Sequence, residues 1–218
     1  MPAPEIKFCG LTRPEDAGLV AQLGAEYAGV IFAGGRRHLE PERAREVLAG
    51  LGSSPVQRVG VFGAQEVQEI VDIADEVALH VVQLHVGVTR DRILSLRERF
   101  AGSIWVVVGV SGGTVPSLSD AVVDAADAIV LDTSLAGRIG GTGATFDWAA
   151  VAPWVAGLRS RRTVVLAGGL RAINVGEAVR TLAPQVVDVS SGVESAPGIK
   201  DHELMRAFAE SARRREER

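Results

Sequence analysis

Cysteine is almost missing from this chain: among 218 residues only Cys9 carries a thiol. No disulfide can close within the chain, and a reducing compartment is its natural setting. Positive charge is not in excess either. The 23 Lys and Arg against 27 Asp and Glu leave a formal net charge of −4, so nothing draws the chain toward nucleic acid or an anionic membrane. A run of about 18 uncharged apolar residues, as a membrane span requires, does not occur. The start, Met1-Pro2-Ala3-Pro4-Glu5, lacks the basic-then-apolar order of an export signal. A soluble cytoplasmic protein is the expectation. Linkers and low-complexity segments are also missing, which leaves one domain over 1–218. The basic stretch Arg213-Arg214-Arg215 runs into Glu216-Glu217 and is expected to be a solvated helix end.

What the chain does have is 47% apolar residues, enough for a sizeable core, arranged in a repeating alternation. Short β-branched runs are expected as strands at 6–11, 27–33, 56–62, 81–85, 104–110, 128–132, 163–166 and 186–189. Each is followed by an amphipathic stretch expected as a helix, at 14–24, 41–51, 65–77, 89–100, 117–126, 147–158, 172–182 and 201–213. Pro14 suits a first helical turn with Thr12 or Arg13 as its entry, and Gly24 suits a helix end. Runs such as Val106-Val107-Val108 and Val164-Val165-Leu166 do not alternate, as expected of parallel strands covered on both faces. Eight βα units in one chain predict an α/β fold, a single-domain (β/α)8 TIM barrel. The competing fold is an open doubly wound sheet. It would usually carry a glycine-rich phosphate turn after the first strand, where this chain has Cys9-Gly10-Leu11-Thr12. The longest irregular connection, 133–146, has the length of a functional loop.

In such barrels the site forms where strands end and the following loops begin. Lys7 and Cys9 fall at the end of the first strand, Arg36 and Arg37 after the second. Gln83 and His85 fall at the end of the fourth, and Asp132 at the end of the sixth. Gly168-Gly169 follows the seventh strand and Ser190-Ser191-Gly192 the eighth, where barrel phosphate sites are commonly built. Glycines there let backbone N–H groups approach phosphate oxygens closely. After the third strand, Gly60-Val61-Phe62-Gly63-Ala64 has no Gly-Gly turn, so one phosphate site is expected and not two. Cys9 is either a small buried apolar residue or, once ionised, a base. Asp132 sits after Ile129-Val130-Leu131, a costly place for a carboxylate unless it is paired or used. Asp188, inside the eighth strand, is taken as structural. Gln83 and His85 are expected to line the pocket with Lys7, and a guanidinium at Arg36 or Arg37 could hold a carboxylate in a forked pair.

Together these segments resemble the phosphoribosylanthranilate isomerases over almost the whole chain. The resemblance is carried by Lys7-Phe8-Cys9-Gly10-Leu11-Thr12, Gly29-Val30-Ile31-Phe32, Arg58-Val59-Gly60-Val61-Phe62 and Val82-Gln83-Leu84-His85. It continues through Leu131-Asp132-Thr133, Gly140-Gly141-Thr142-Gly143-Ala144-Thr145-Phe146-Asp147-Trp148, Ala167-Gly168-Gly169-Leu170 and Asp188-Val189-Ser190-Ser191-Gly192-Val193-Glu194. The resemblance implies an Amadori rearrangement in tryptophan biosynthesis, acting on a small phosphosugar. It implies Cys9 as general base and Asp132 as general acid. It implies Arg37 on the substrate's aromatic carboxylate, and backbone N–H groups of Gly168, Gly169, Ser191 and Gly192 on its phosphate. No metal or cofactor is implied, since an iminium formed from the substrate is the electron sink. The second loop, 33–38, is shorter than the family's usual one.

Two other readings compete. A histidine-pathway or dual-substrate sugar-phosphate isomerase would handle a substrate with two phosphates. A non-catalytic phosphate-binding barrel would keep Gly168, Gly169, Ser190 and Ser191 but need neither Cys9 nor Asp132.

Overall fold

The computed structural model describes residues 2–135, 138–139 and 145–214, with only the backbone at 135, 138 and 139. Residues 136–137 and 140–144 of the connection 133–146, with the Gly140–Ala144 motif, and Arg215, Glu216 and Glu217 lie outside the described residues.

Strands β1 (Glu5–Phe8), β2 (Tyr27–Ile31), β3 (Gln57–Phe62), β4 (Val81–Leu84) and β5 (Ser103–Val110) each precede a helix. These are α1 (Pro14–Gln22), α2 (Pro41–Ala49), α3 (Val67–Val77), α4 (Arg90–Arg97) and α5 (Asp120–Ala125). Strand β6 (Ala128–Leu135) and the short β7 (Arg138–Ile139), which pairs antiparallel with its end, precede α6 (Trp148–Arg159). Strand β8 (Thr163–Leu166) leads to α7 (Val175–Leu182). Strand β9 (Val186–Val189) leads through a hairpin, β10 (Glu194–Ala196) and β11 (Ile199–Lys200), to α8 (His202–Arg213). Among the described residues, eight parallel strands run in the order β5-β4-β3-β2-β1-β9-β8-β6, and β5 pairs with β6 to close the ring. That closure excludes the open doubly wound sheet. No helix of the described residues is long and apolar enough to cross a membrane.

Helix starts follow local chemistry. Pro14 and Pro41 begin α1 and α2, where a missing N–H costs nothing. Thr89, Ser119, Asp147 and Asp201 cap α4, α5, α6 and α8 by accepting backbone N–H bonds. Three helices begin two or three residues later than the pattern predicts, at Val67, Asp120 and Val175. At two of them the polar residues before the helix brace loops instead. Gln65 bonds Phe32 O and Gly63 N, and Asn174 Oδ1 accepts from Arg171 N. Arg213 is not freely solvated as expected: it donates to Leu23 O and Gly24 O at 2.7 and 2.6 Å, holding α8 to the end of α1.

The apolar runs divide between two cores. Ile6 and Phe8 face outward to the helices, and Phe8 meets Phe208 of α8 edge-on at 6.0 Å. Burial of each such ring is worth roughly 1.5–3 kcal/mol. Alternate residues fill the barrel: Val59, Val81, Trp105, Val107, Val130 and Val165 form the inner cluster. Above that apolar plug, the same inward positions become polar and chemical.

Candidate active site

On β1 the inward positions after Glu5 are Lys7 and then Cys9. The register places Lys7 opposite Asp188 of β9. Their side chains meet, Lys7 Nζ to Asp188 Oδ2 at 2.6 Å, with Lys7 wholly buried. Lys7 therefore supports the floor of the pocket and does not line it, which corrects the expectation. It belongs one inward step below Cys9. Asp188 was expected to be structural; it also reaches the pocket, and its Oδ1 has no hydrogen-bond partner among the described residues. A lone carboxylate inside a strand carries no sequence signal of this double role.

The cavity at the strand ends has a volume of about 270 Å³. It gathers Cys9, Arg37, Gln83, His85 and Asp132 together with Gly168, Gly169, Ser191 and Gly192. Lys7 apart, the structure brings every predicted site residue to one place. Arg36 is exposed and Arg37 lines the pocket, so the shortened loop selects Arg37. Gly10 makes this possible. Its φ is +69°, and a Cβ there would press on Arg37 Cδ at 2.6 Å. Gly29 leaves similar room, since its Cβ would stand 3.0 Å from Cys9 Sγ.

The two chemical groups have shifted titrations. Burial pushes the Cys9 thiol up, with Lys7 and Lys200 pulling against it. Burial, and then the nearby Asp188, push Asp132 up to about 6, while its bond from Thr133 N at 2.7 Å holds it down. A carboxyl group poised there is partly protonated near neutrality, as a general acid needs to be. For Lys7, burial opposes the ammonium, but Asp188 and Cys9 outweigh it and raise the group.

On the phosphate side, Gly168 and Gly169 have φ of +84° and +66°. Their N–H groups donate to no acceptor among the described residues. Asn174 Nδ2 holds Gly169 O at 3.1 Å. A Cβ on Gly192 would overlap the Leu170 carbonyl, so the two glycine loops are packed backbone to backbone. The loop after β3 is spent differently. Gly63 N donates to Gln65 Oε1, and Arg92 Nη2 caps Gly63 O and Gln65 O at 3.0 and 2.7 Å.

The hairpin β10–β11 carries residues that were not foreseen. Arg37 Nε and Nη2 donate to Glu194 Oε1 and Oε2 at 2.7 and 2.6 Å. Lys200 Nζ donates to Glu194 Oε1, Cys9 O and Ser190 O. Arg13, itself held by the buried Asp16, donates to Lys200 O. The turn Pro197-Gly198, with Gly198 at φ +83°, is the one sequence signal for this hairpin.

Residues 6–211 match the family described as N-(5'phosphoribosyl)anthranilate (PRA) isomerase. The chain is 40% identical to the N-(5'-phosphoribosyl)anthranilate isomerase of Pseudomonas aeruginosa over 216 residues, covering 99% of this chain and 98% of the relative. Its fold matches the solved phosphoribosyl anthranilate isomerase of Thermus thermophilus with a TM-score of 0.81 at 35% identity, covering 95% and 97% of the two chains. A phosphoribosyl anthranilate isomerase solved in complex with reduced 1-(o-carboxyphenylamino)-1-deoxyribulose 5-phosphate matches with a TM-score of 0.78 at 33% identity, covering 96% and 98%.

Proposed function

The chain belongs to the N-(5'-phosphoribosyl)anthranilate isomerase family, and from that premise we propose that Cys9 is the general base and Asp132 the general acid of its reaction. The reaction is the Amadori rearrangement of N-(5-phosphoribosyl)anthranilate to 1-(2-carboxyphenylamino)-1-deoxyribulose 5-phosphate in tryptophan biosynthesis. What carries the residue assignment is the single cavity lined by Cys9, Asp132, Arg37 and both glycine loops.

Asp132 protonates the ribose ring oxygen, and the ring opens to an iminium. Cys9 thiolate takes the proton from the neighbouring carbon, giving an enolamine that relaxes to the ketone. Each transfer contributes about 10²–10⁴-fold. Backbone N–H groups of Gly168, Gly169, Ser191 and Gly192 hold the phosphate, and Arg37 holds the aromatic carboxylate. Anchoring both ends keeps the sugar carbon near acid and base. Gln83 and His85 line the wall beside it. A cytoplasmic site of action fits the single cysteine and the biosynthetic role.

The function is tested by assay. Purified protein should convert freshly generated N-(5-phosphoribosyl)anthranilate, followed by loss of its anthranilate-type fluorescence. It should leave the two-phosphate substrate of the histidine-pathway isomerase nearly untouched, because the backbone after β3 is occupied by Gln65 and Arg92. Comparable kcat/KM on both would count decisively against a single phosphate site.

The phosphate loops are tested separately. Ser191→Ala should be mild, since a backbone donor survives side-chain truncation. Gly169→Val should weaken phosphate-bearing ligands by at least about 10-fold, because a branched side chain resists positive φ and crowds the anion. Calorimetric titration with the reduced product distinguishes them; equal affinities in the two variants would remove the backbone as the phosphate's holder.

A further inference from the structure

Arg37 is not alone on its wall of the pocket. Glu194 occupies the edge of its guanidinium formed by Nε and Nη2. Nη1 and the outer proton of Nη2 remain for a ligand. Such a fork fixes the guanidinium plane, but it also cancels the charge. An arginine and a glutamate paired in isolation are neutral, and a neutral pair attracts a carboxylate poorly.

Lys200 changes that balance. It is 2% exposed, and its ammonium donates to Glu194 Oε1 at 2.8 Å, Cys9 O at 2.6 Å and Ser190 O at 3.1 Å. An ammonium has three donors, and all three are used by the protein. Lys200 therefore has no hydrogen bond left for substrate. Burial disfavours its ammonium and Glu194 favours it; with Lys200 charged, Arg37, Glu194 and Lys200 sum to +1, and of the three only Arg37 lines the cavity. Two of these bonds, to Cys9 O and Ser190 O, tie the end of β1 to the turn after β9, which are the base's strand and a phosphate loop.

We propose that Lys200 is a positioning and specificity-determining residue, neutralising Glu194 so that the Arg37 it clamps stays cationic toward the substrate's aromatic carboxylate. This rests on the reading that Arg37 binds that carboxylate. The arrangement separates two requirements: Glu194 fixes direction, and Lys200 restores charge.

The test uses two ligands: the reduced product, and its phenylamino counterpart lacking the carboxylate. Their affinity ratio in the full-length protein isolates the carboxylate subsite from the phosphate subsite. Lys200→Met should lower the affinity for the carboxylate ligand about 10- to 100-fold and change the other ligand less than about 3-fold. Lys200→Arg should recover part of the ratio. The Lys200→Met/Glu194→Gln double variant should recover most of it, since the net charge returns to +1. If Lys200 only pins the hairpin, the double variant is worse than the single one, and both ligands weaken together; that result overturns the proposal. Should Lys200→Met not fold, Glu194→Gln alone decides. Its net charge rises to +2, so the ratio should hold or increase, and a drop of more than about 10-fold overturns the charge argument. Arg37→Ala is the control for the underlying reading. If it leaves the ratio intact, the carboxylate is bound elsewhere. If it abolishes the ratio and Lys200→Met does not alter it, only the Lys200 proposal falls.

Discussion

Asp132→Asn is expected to lose at least about 10²-fold in kcat while becoming more stable than the parent protein at neutral pH. Both effects have one origin. The carboxyl group titrates at about 6 in the folded chain, against 3.8 for the unperturbed group. Between those values the folded state binds more protons than the unfolded state, so stability falls as pH rises from about 4 to about 6. Above that window the penalty is complete. Two units correspond to at most about 3 kcal/mol, since each unit is worth about 1.4 kcal/mol. Asparagine carries no charge to desolvate and escapes the penalty. A gain of about 1–3 kcal/mol should therefore appear at pH 7 in urea unfolding and vanish near pH 4. Near-parental kcat in this variant would remove Asp132 as the acid.

Cys9→Ser and Cys9→Ala should lose a similar factor, and alike, because a hydroxyl fits the space but is a far weaker acid than a thiol and supplies no ionised base. The pH profile joins the two residues. Catalysis needs thiolate and carboxylic acid together, yet the acid titrates at about 6 and burial pushes the thiol up from its ordinary value. The required form is thus a minor fraction, roughly constant between the two values and falling on both sides. kcat/KM in the parent protein should be flat across that range. A profile with a single sharp optimum at pH 7 would contradict the assignment.

The barrel and the membership of the pocket were legible in the sequence because they depend on local order. Strand runs, Pro14, Gly24 and the two glycine loops carry their meaning within a few residues. Which arginine faces the pocket was legible only through the resemblance, which implied Arg37: Arg36 and Arg37 are adjacent and identical in type, and the choice depends on Gly10, in the loop after β1, leaving room for one stem. The depth of Lys7 depends on its register against β9, 181 residues away. The Glu194–Lys200 hairpin was missed because its strands span three and two residues, too short to show any period.

That long-range register sets the other large expected effect. Lys7→Met should destabilise the protein by on the order of 3–5 kcal/mol, because it strands Asp188 without its buried counter-ion. The pair itself contributes much less than that figure, since both charges were desolvated to form it. The consequence is a specific rescue: Lys7→Met/Asp188→Leu should regain most of the lost stability. Activity should not return with it. Lys7 draws the Cys9 thiol toward its ionised form against burial, and Asp188 helps to hold Asp132 protonated. Asp188 opposes Lys7 at Cys9, and Lys7 opposes Asp188 at Asp132, but each opposing effect is the smaller, so without the pair thiolate becomes scarcer and the acid shifts toward its charged state. Chemical denaturation and steady-state kinetics on the three proteins separate the effects. Stability and kcat returning together in the double variant would mean that the buried pair is only a structural element beneath the site. Stability returning alone would mean that the charges beneath the pocket are retained for the titration of Cys9 and Asp132.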